Sequence, residues 1–131
     1  MRKYLFFFAV FYCLILVSCG GNNEPEVING LESVSSELVT FEYIPDTGNN
    51  SSRLRYKIRF TNPNFQIIEG IYRITLNIDE TESTTVSNSQ SPCAIINGYS
   101  SCSVSFNEES CHDNGIPNSI EFVSAEYTIV E

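Results

Sequence analysis

The chain is 131 residues long and strongly acidic, with 16 acidic residues against 7 basic ones and a formal net charge of −9. The length favours a single domain that can bury roughly two thirds of the surface its unfolded chain exposes. The negative field repels nucleic acid and anionic lipid head groups, so neither is expected as a direct partner.

The chain begins with the pattern of a secretory signal peptide. Arg2 and Lys3 precede an uninterrupted apolar run at residues 4–17. That run is shorter than the roughly 20 apolar residues that a transmembrane helix needs, but it has the length of a signal-peptide core. Cys13 lies inside the run, so it leaves with the signal.

The sequence Leu16-Val17-Ser18-Cys19 resembles the lipobox of bacterial lipoproteins in position, spacing and residue types. The resemblance implies cleavage before Cys19 and acylation of that cysteine, which would anchor the protein to a membrane. Acyl chains hold a soluble domain there through about 0.8 kcal/mol per buried methylene. Gly20 replaces the aspartate that retains such proteins at the inner membrane. The resemblance therefore implies the outer membrane, at its periplasmic face or at the cell surface.

Three segments follow from this assignment: a signal peptide at 1–18, a flexible tether at 19–30 and a β-sandwich domain at 31–131. Cleavage removes two of the seven basic residues and none of the 16 acidic ones, so the net charge of the mature chain becomes −11. A basic protein or a cationic ligand is therefore electrostatically easier to bind than an anionic one.

The clearest strand pattern of the chain lies at 53–61. Before it, a first strand is predicted at 31–43, where Val39, Phe41 and Tyr43 would be buried. A loop of turn formers at 45–52 connects the two strands. Side chains alternate between the two faces of a strand. In the central strand one face would carry Leu54, Tyr56, Ile58 and Phe60, and the other a basic stripe of Arg53, Arg55, Lys57 and Arg59.

Asn62-Pro63-Asn64 must interrupt the ladder, because proline donates no backbone hydrogen bond and asparagine favours turns. A second clear strand follows at 70–79, and one short edge strand is predicted around 84–86. The strand, Asn-Pro-Asn turn and second strand resemble part of the immunoglobulin-like sandwich domains of the late-embryogenesis-abundant type. The resemblance implies an immunoglobulin-like antiparallel β-sandwich.

A hairpin is predicted around Asn97-Gly98, which is the preferred pair for a two-residue type I′ turn. That turn would place Cys93 directly opposite Cys102 as a non-hydrogen-bonded pair, the closer kind. In an oxidising compartment the three domain cysteines form at most one internal bridge. Cys93 with Cys102 is the favoured pairing, and Cys102 with Cys111 or Cys93 with Cys111 are the alternatives.

The last strand is predicted at 120–130, with a bulge near Ser124 where the phase of the apolar residues changes. A polar loop with the lone His112 precedes it. Strands separated by turn clusters, with no helical period, predict an all-β sandwich.

His112 directly follows Cys111, so a metal site or a cysteine–histidine catalytic pair has to be weighed. The cysteine spacing is not that of a zinc site, and adjacent residues rarely meet as nucleophile and base. We therefore expect an exposed loop histidine, no metal and no cofactor. Because the sequence contains no paired acids, phosphate loop or nucleophile elbow, we do not expect an enzyme.

The basic stripe has two interpretations. It is a binding face for an anionic ligand, such as a glycan or an acidic patch of an envelope protein, or it is neutralised by acids on neighbouring strands, such as Glu42, Glu121 or Glu126. Like charges ~6.7 Å apart along a strand repel by roughly 0.6 kcal/mol in water. In so acidic a chain, local neutralisation is the simpler account.

These patterns predict a binding or accessory module of the cell envelope. The alternative is an inhibitor or immunity-type lipoprotein that blocks a basic secreted enzyme through its acidic surface. An inhibitor would carry a rigid, disulfide-framed loop at one end of the sandwich.

Overall fold

The computed structural model describes residues 30–130, and these form an antiparallel β-sandwich. The prediction of an all-β sandwich is thereby confirmed, with two sheets packed around one core. The predicted signal peptide at 1–18 and the predicted tether up to residue 29 lie outside the described residues. Within the described range no helix is long and apolar enough to cross a membrane.

Seven strands make up the sandwich in this part of the chain. They are β1 (Ser35–Gly48), β2 (Ser51–Thr61), β3 (Ile68–Ile78), β4 (Thr81–Val86), β5 (Ile95–Ile96), β6 (Ser101–Cys111) and β7 (Ile120–Ile129). The predicted central strand is β2, and the predicted edge strand around 84–86 is the second half of β4.

The first sheet has the order β1-β2-β6, so β2 is its central strand, as predicted. A two-residue turn at Asn49 and Asn50 joins β1 to β2, and both residues have positive φ, 54° and 58°. Asparagine tolerates this conformation, which the type I′ turn requires at both positions. On the other side, β2 pairs with β6 without interruption along its whole length.

The second sheet is built on β3, with β7 on one side and β4 and the short β5 on the other. Asp79 and Glu80, with φ of 46° and 66°, turn the chain from β3 into β4. The register between β3 and β7 shifts where Ser124 and Phe122 face successive residues of β3, which leaves Val123 without an opposite residue. The predicted bulge near Ser124 is confirmed.

The predicted hairpin at Asn97-Gly98 is wrong. Ile96 pairs instead with Ile68 of β3, because this pairing buries both side chains to 2% exposure, and the chain then crosses to the first sheet. Neither residue of the expected turn has positive φ. Gly98 packs against the loop 62–67 so closely that a Cβ atom there would clash with the carbonyl oxygen of Phe65.

The predicted disulfide between Cys93 and Cys102 is nevertheless present, with a Cα–Cα distance of 5.6 Å. Cys93 precedes β5 of the second sheet and Cys102 lies in β6 of the first, so the bond links the two sheets. Cys111 is left as a free, exposed thiol.

The core lies between β2 and β3. Ile58 and Phe60 of β2 are fully buried, which confirms the predicted inner face of the central strand. The Phe60 ring stacks on Tyr72 with centroids 5.2 Å apart and meets Tyr127 at 5.5 Å. Truncating an aromatic side chain in such a site costs about 3–5 kcal/mol.

Because the strands are antiparallel, the connections collect at two ends of the sandwich. The proximal end, where the chain enters the domain, consists of residues 30–34 and the loops 62–67 and 87–100. The distal end consists of the turns 49–50 and 79–80 and the loop 112–119. Strand β2 runs from the distal to the proximal end, so the basic stripe extends between them.

Candidate functional site

All four side chains of the basic stripe lie on the outer face of the first sheet. They alternate along β2 with the buried Ile58 and Phe60, as the sequence predicts. The side chains of Arg55 and Arg59 are 45% and 44% exposed, so a ligand could reach them.

Each arginine of the stripe is paired with a glutamate directly opposite it on a neighbouring strand. The pairs are Arg53 with Glu109 at 2.8 Å, Arg55 with Glu42 at 2.9 Å and Arg59 with Glu37 at 3.1 Å. Exposed pairs of this kind contribute only about 0–1 kcal/mol each to stability. Their main effect is to neutralise the positive charge that an anionic ligand would need.

Neutralisation of the stripe by Glu42 is therefore confirmed, but the other two predicted partners are wrong. Glu121 and Glu126 lie on β7 of the second sheet, where they face Asn77 and Arg73. The partners that the sequence did not predict are Glu109 on β6 and Glu37 on β1, because β6 and β1, and not β7, are the neighbours of β2.

Lys57 is the member of the stripe with no carboxylate within 4.0 Å among residues 30–130. Its neighbours across the sheet are Thr40 and Ser105, and Ser105 continues a row of exposed hydroxyls with Ser101 and Ser103 along the edge strand β6. The ammonium group of Lys57 can donate hydrogen bonds to a hydroxyl-rich ligand, and the serine hydroxyls can both donate and accept them. The face suits a polar partner such as a glycan better than a polyanion.

Glu109 anchors the distal end of the stripe. Its carboxylate accepts hydrogen bonds from Thr47 Oγ1 at 2.6 Å, Ser51 Oγ at 2.7 Å and Arg53 at 2.8 Å. These hydrogen bonds, that of Thr47 first, lower the pKa of Glu109 from its ordinary value to about 2. The group is therefore a carboxylate throughout the physiological pH range.

His112 is not the freely exposed loop histidine that the sequence predicts. Its ring is partly buried, and Nε2 lies 2.7 Å from Ser52 Oγ. Ser52 is only 4% exposed, so this serine–histidine pair has no access to a substrate. The neighbouring Cys111 is exposed. Across residues 30–130 no group of three or more histidine, cysteine, aspartate or glutamate side chains is placed to hold a metal ion.

The proximal end is organised by Asn62, a fully buried polar side chain. Its Nδ2 group donates to the carbonyl oxygens of Gln66 at 2.9 Å, Asn97 at 3.1 Å and Ile96 at 3.3 Å. Its Oδ1 atom accepts from the backbone and the side chain of Asn64, both at 2.9 Å. One amide group thus holds the loops 62–67 and 87–100 together.

Asn64 extends this network to the start of the domain. Its Oδ1 atom accepts from the backbone N–H of Glu32 at 2.8 Å, and its Nδ2 group donates to the Glu32 carbonyl at 2.9 Å. Its own carbonyl accepts from the backbone N–H of Tyr99 at 2.8 Å. The sequence indicates only turn formers at these positions, because the partners that define the network, Glu32 and Ile96, lie more than thirty positions away.

Four large apolar side chains project from the proximal end, and we call them the proximal apolar surface. They are Phe65, 75% exposed, Ile67, 63% exposed, Ile95, 58% exposed, and Tyr99, 76% exposed. This surface was not predicted from the sequence. Its signal is apolar residues inside two loops that contain no charged residue.

A depression of about 90 Å³ beside Ile95, lined also by Ile71, Ala94 and Val130, is far smaller than the ~300–1,000 Å³ typical of small-molecule sites.

Comparisons with family models, with curated proteins and with solved structures find no match for the chain. The candidate sites are therefore two surfaces: the polar outer face of the first sheet and the proximal apolar surface.

Proposed function

We propose that the protein is an outer-membrane lipoprotein whose β-sandwich serves as a binding or accessory module of the cell envelope. The observation that carries the proposal is the lipobox-like Leu16-Val17-Ser18-Cys19 directly after a short apolar run. The Cys93–Cys102 disulfide supports an oxidising compartment outside the cytoplasm.

The polar outer face of the first sheet is the proposed site for an envelope partner or a glycan. Lys57 and the row of Ser101, Ser103 and Ser105 offer donors and acceptors that ion pairs do not occupy. The paired arginines and the net charge of −11 for the mature chain disfavour nucleic acid. The proposal includes no cofactor and no catalytic role.

Lipidation is tested by expressing the full chain in a Gram-negative host with an alkyne fatty acid. The wild type should be labelled and Cys19→Ser should not, because the thioether to diacylglycerol needs the thiol. Cys13→Ser is the matched control, since this cysteine leaves with the signal and its loss should not reduce labelling. Equal labelling of the wild type and Cys19→Ser would remove the anchor and the proposed address.

A second candidate function is inhibition of a basic secreted enzyme, and one specific observation favours it. The Cys93–Cys102 disulfide frames a segment whose Tyr99 side chain is 76% exposed, as a rigid inhibitory loop would require. A pull-down from envelope and secreted fractions, followed by mass spectrometry, separates the two functions. Recovery of a basic enzyme whose activity falls on binding, and whose capture is lost in Tyr99→Ser, would favour the inhibitor.

A further inference from the structure

The proximal apolar surface is presented on a rigid support. Asn62 holds the carbonyls of Gln66 and Asn97 from inside, and Gly98 fits against the backbone of Phe65. The exposed side chains therefore cannot turn inward without breaking buried hydrogen bonds. Apolar side chains that a protein keeps exposed and close together usually mark a contact surface.

The proximal and distal ends differ sharply in charge. The loops 62–67 and 87–100 contain no charged residue, although charged residues make up 18% of the chain. The distal end, in contrast, carries Asp79, Glu80 and Asp113. Placing the loops 62–67 and 87–100 in an apolar medium therefore desolvates no ion, provided that Glu32 and Glu69 at the same end stay among the head groups, whereas the distal end would have to bury several acids.

The chain also enters the domain at the proximal end, where Glu32 is bonded to Asn64. Eleven residues, 19–29, separate it from the proposed lipidation site, and a chain of that length spans at most ~40 Å. Strand β2 has 11 residues. At ~3.3 Å per residue, the distal end is ~35 Å farther from the point of attachment. An anchor at Cys19 therefore brings the proximal end to the bilayer first.

We propose that the proximal apolar surface is a membrane-contact surface, which inserts Phe65, Ile67 and Tyr99 into the interfacial zone of a bilayer of zwitterionic lipid. The inference rests on the proposed lipid anchor. Tyrosine suits this depth, because its ring enters the acyl region while its hydroxyl stays among the head groups, and phenylalanine adds an apolar ring. Ile95, exposed on β5 opposite Glu69, adds apolar area at the same end.

Tethering makes so small a surface sufficient. A few apolar side chains bind a membrane weakly from solution, but an anchored domain meets the bilayer at a high effective concentration, so weak insertion fixes its orientation. The anchor supplies attachment, and the proximal apolar surface sets which end faces the lipid. The outer face of the first sheet would then stand along the membrane normal, open to partners.

The chain contains no tryptophan, so Phe65→Trp introduces a unique fluorescent reporter. The full-length protein, lipidated in its host and extracted, is reconstituted into phosphatidylcholine vesicles with brominated acyl chains. We expect a blue-shifted emission and the loss of most of its intensity by contact with bromine. Asn114→Trp, in the exposed distal loop, is the matched control and should keep its emission.

Adding Ile67→Ser and Tyr99→Ser to the Phe65→Trp protein should restore most of the emission, with melting curves confirming that these exposed changes leave the fold intact.

Flotation of the vesicles tests the anchor separately. A wild type that does not float overturns the anchor and this inference together. A protein that floats but shows equal emission from Phe65→Trp and Asn114→Trp overturns the membrane contact alone. Emission that changes only after envelope proteins are added overturns it in favour of a protein partner.

Discussion

Replacing Asn62 with aspartate should destabilise the domain strongly and in a pH-dependent way. The change preserves the size of the side chain but removes the amide group that donates to the carbonyls of Gln66, Ile96 and Asn97. A carboxylate cannot face these oxygens in a fully buried site, so the folded variant must hold the group protonated.

The size of the effect follows from the ordinary pKa of aspartate, about 3.9. Keeping such a group protonated at pH 7 costs about 4 kcal/mol, at about 1.36 kcal/mol per pH unit. The remaining carboxyl donates one hydrogen bond where the amide serves three carbonyls, and each carbonyl left unsatisfied adds about 1–3 kcal/mol. With two carbonyls left unsatisfied, the total of about 6–10 kcal/mol is comparable with the whole stability of a small domain, about 5–15 kcal/mol.

Urea denaturation of the wild type and Asn62→Asp at pH 7 and pH 5 measures this effect. Because burial raises the pKa of the new carboxyl in the folded state, the variant is most stable below the unfolded pKa and loses stability as pH rises. The protonation cost at pH 5 is about 1.5 kcal/mol, so the gap to the wild type should shrink by about 2.7 kcal/mol. Asn114→Asp, in an exposed loop, should change little at either pH. A loss below about 1 kcal/mol, or one equal at both pH values, would show that carbonyl groups do not enclose Asn62.

Three further predictions follow from the strands and their contacts. Ile58→Asp should abolish cooperative urea unfolding, whereas Lys57→Ser should change stability by roughly 0.5 kcal/mol or less; the reverse order would invert the faces of β2. The NMR titration of the Glu109 carboxyl should have a midpoint near 2. The stability that this carboxylate contributes is present above the ordinary pKa of a glutamate and should be lost as pH falls through that midpoint. A midpoint near 4 would mean that the hydrogen bonds to Glu109 do not persist. Removing the bridge with Cys93→Ser and Cys102→Ser should cost at most about 2.5–3 kcal/mol in thermal or urea unfolding, and no loss would indicate that the native bond is not formed.

The faces of β2 could be predicted from sequence because they depend on local periodicity, whereas in β1 the predicted burial of Val39 is wrong, since this residue is 37% exposed at a register shift. In β2 the alternation of Arg59 and Lys57 with Ile58 and Phe60 leaves only one way to place charges outside and apolar groups inside. The bulge near Ser124 was predictable for the same reason, since an extra residue shifts the phase of the apolar positions.

The turns show where local rules fail. Asn97-Gly98 matches the preferred type I′ pair, but Asn49-Asn50 adopts the turn with positive φ at both central residues, between strands that pair along their length. The burial of Ile96 against β3 outweighs the turn preference of the residues that follow it. The bridge between Cys93 and Cys102 was predicted correctly but from the wrong geometry, because it spans two sheets and not two strands of one hairpin.

Contacts between distant segments were beyond single-sequence reasoning. The identity of the glutamate opposite Arg53 depends on which strand neighbours β2, and periodicity carries no information on strand order. The role of Asn62 depends on carbonyl groups more than thirty residues away, so its sequence context indicates only a turn. The proximal apolar surface likewise exists only because two separate loops meet.

The start of the first strand and the end of the last strand lie at the same end of the sandwich, and this determines where a reporter can be placed to locate the protein in its cell. Strand β1 begins and β7 ends at the proximal end, so under the proposed membrane contact a reporter fused after β7 would be covered by the bilayer. An epitope inserted between Asn49 and Asn50 would stand at the opposite pole, in a tight turn that is exposed on both central residues. For the proposed outer-membrane anchor, antibody staining of intact and permeabilised cells carrying that insertion would show on which side of the membrane the domain lies.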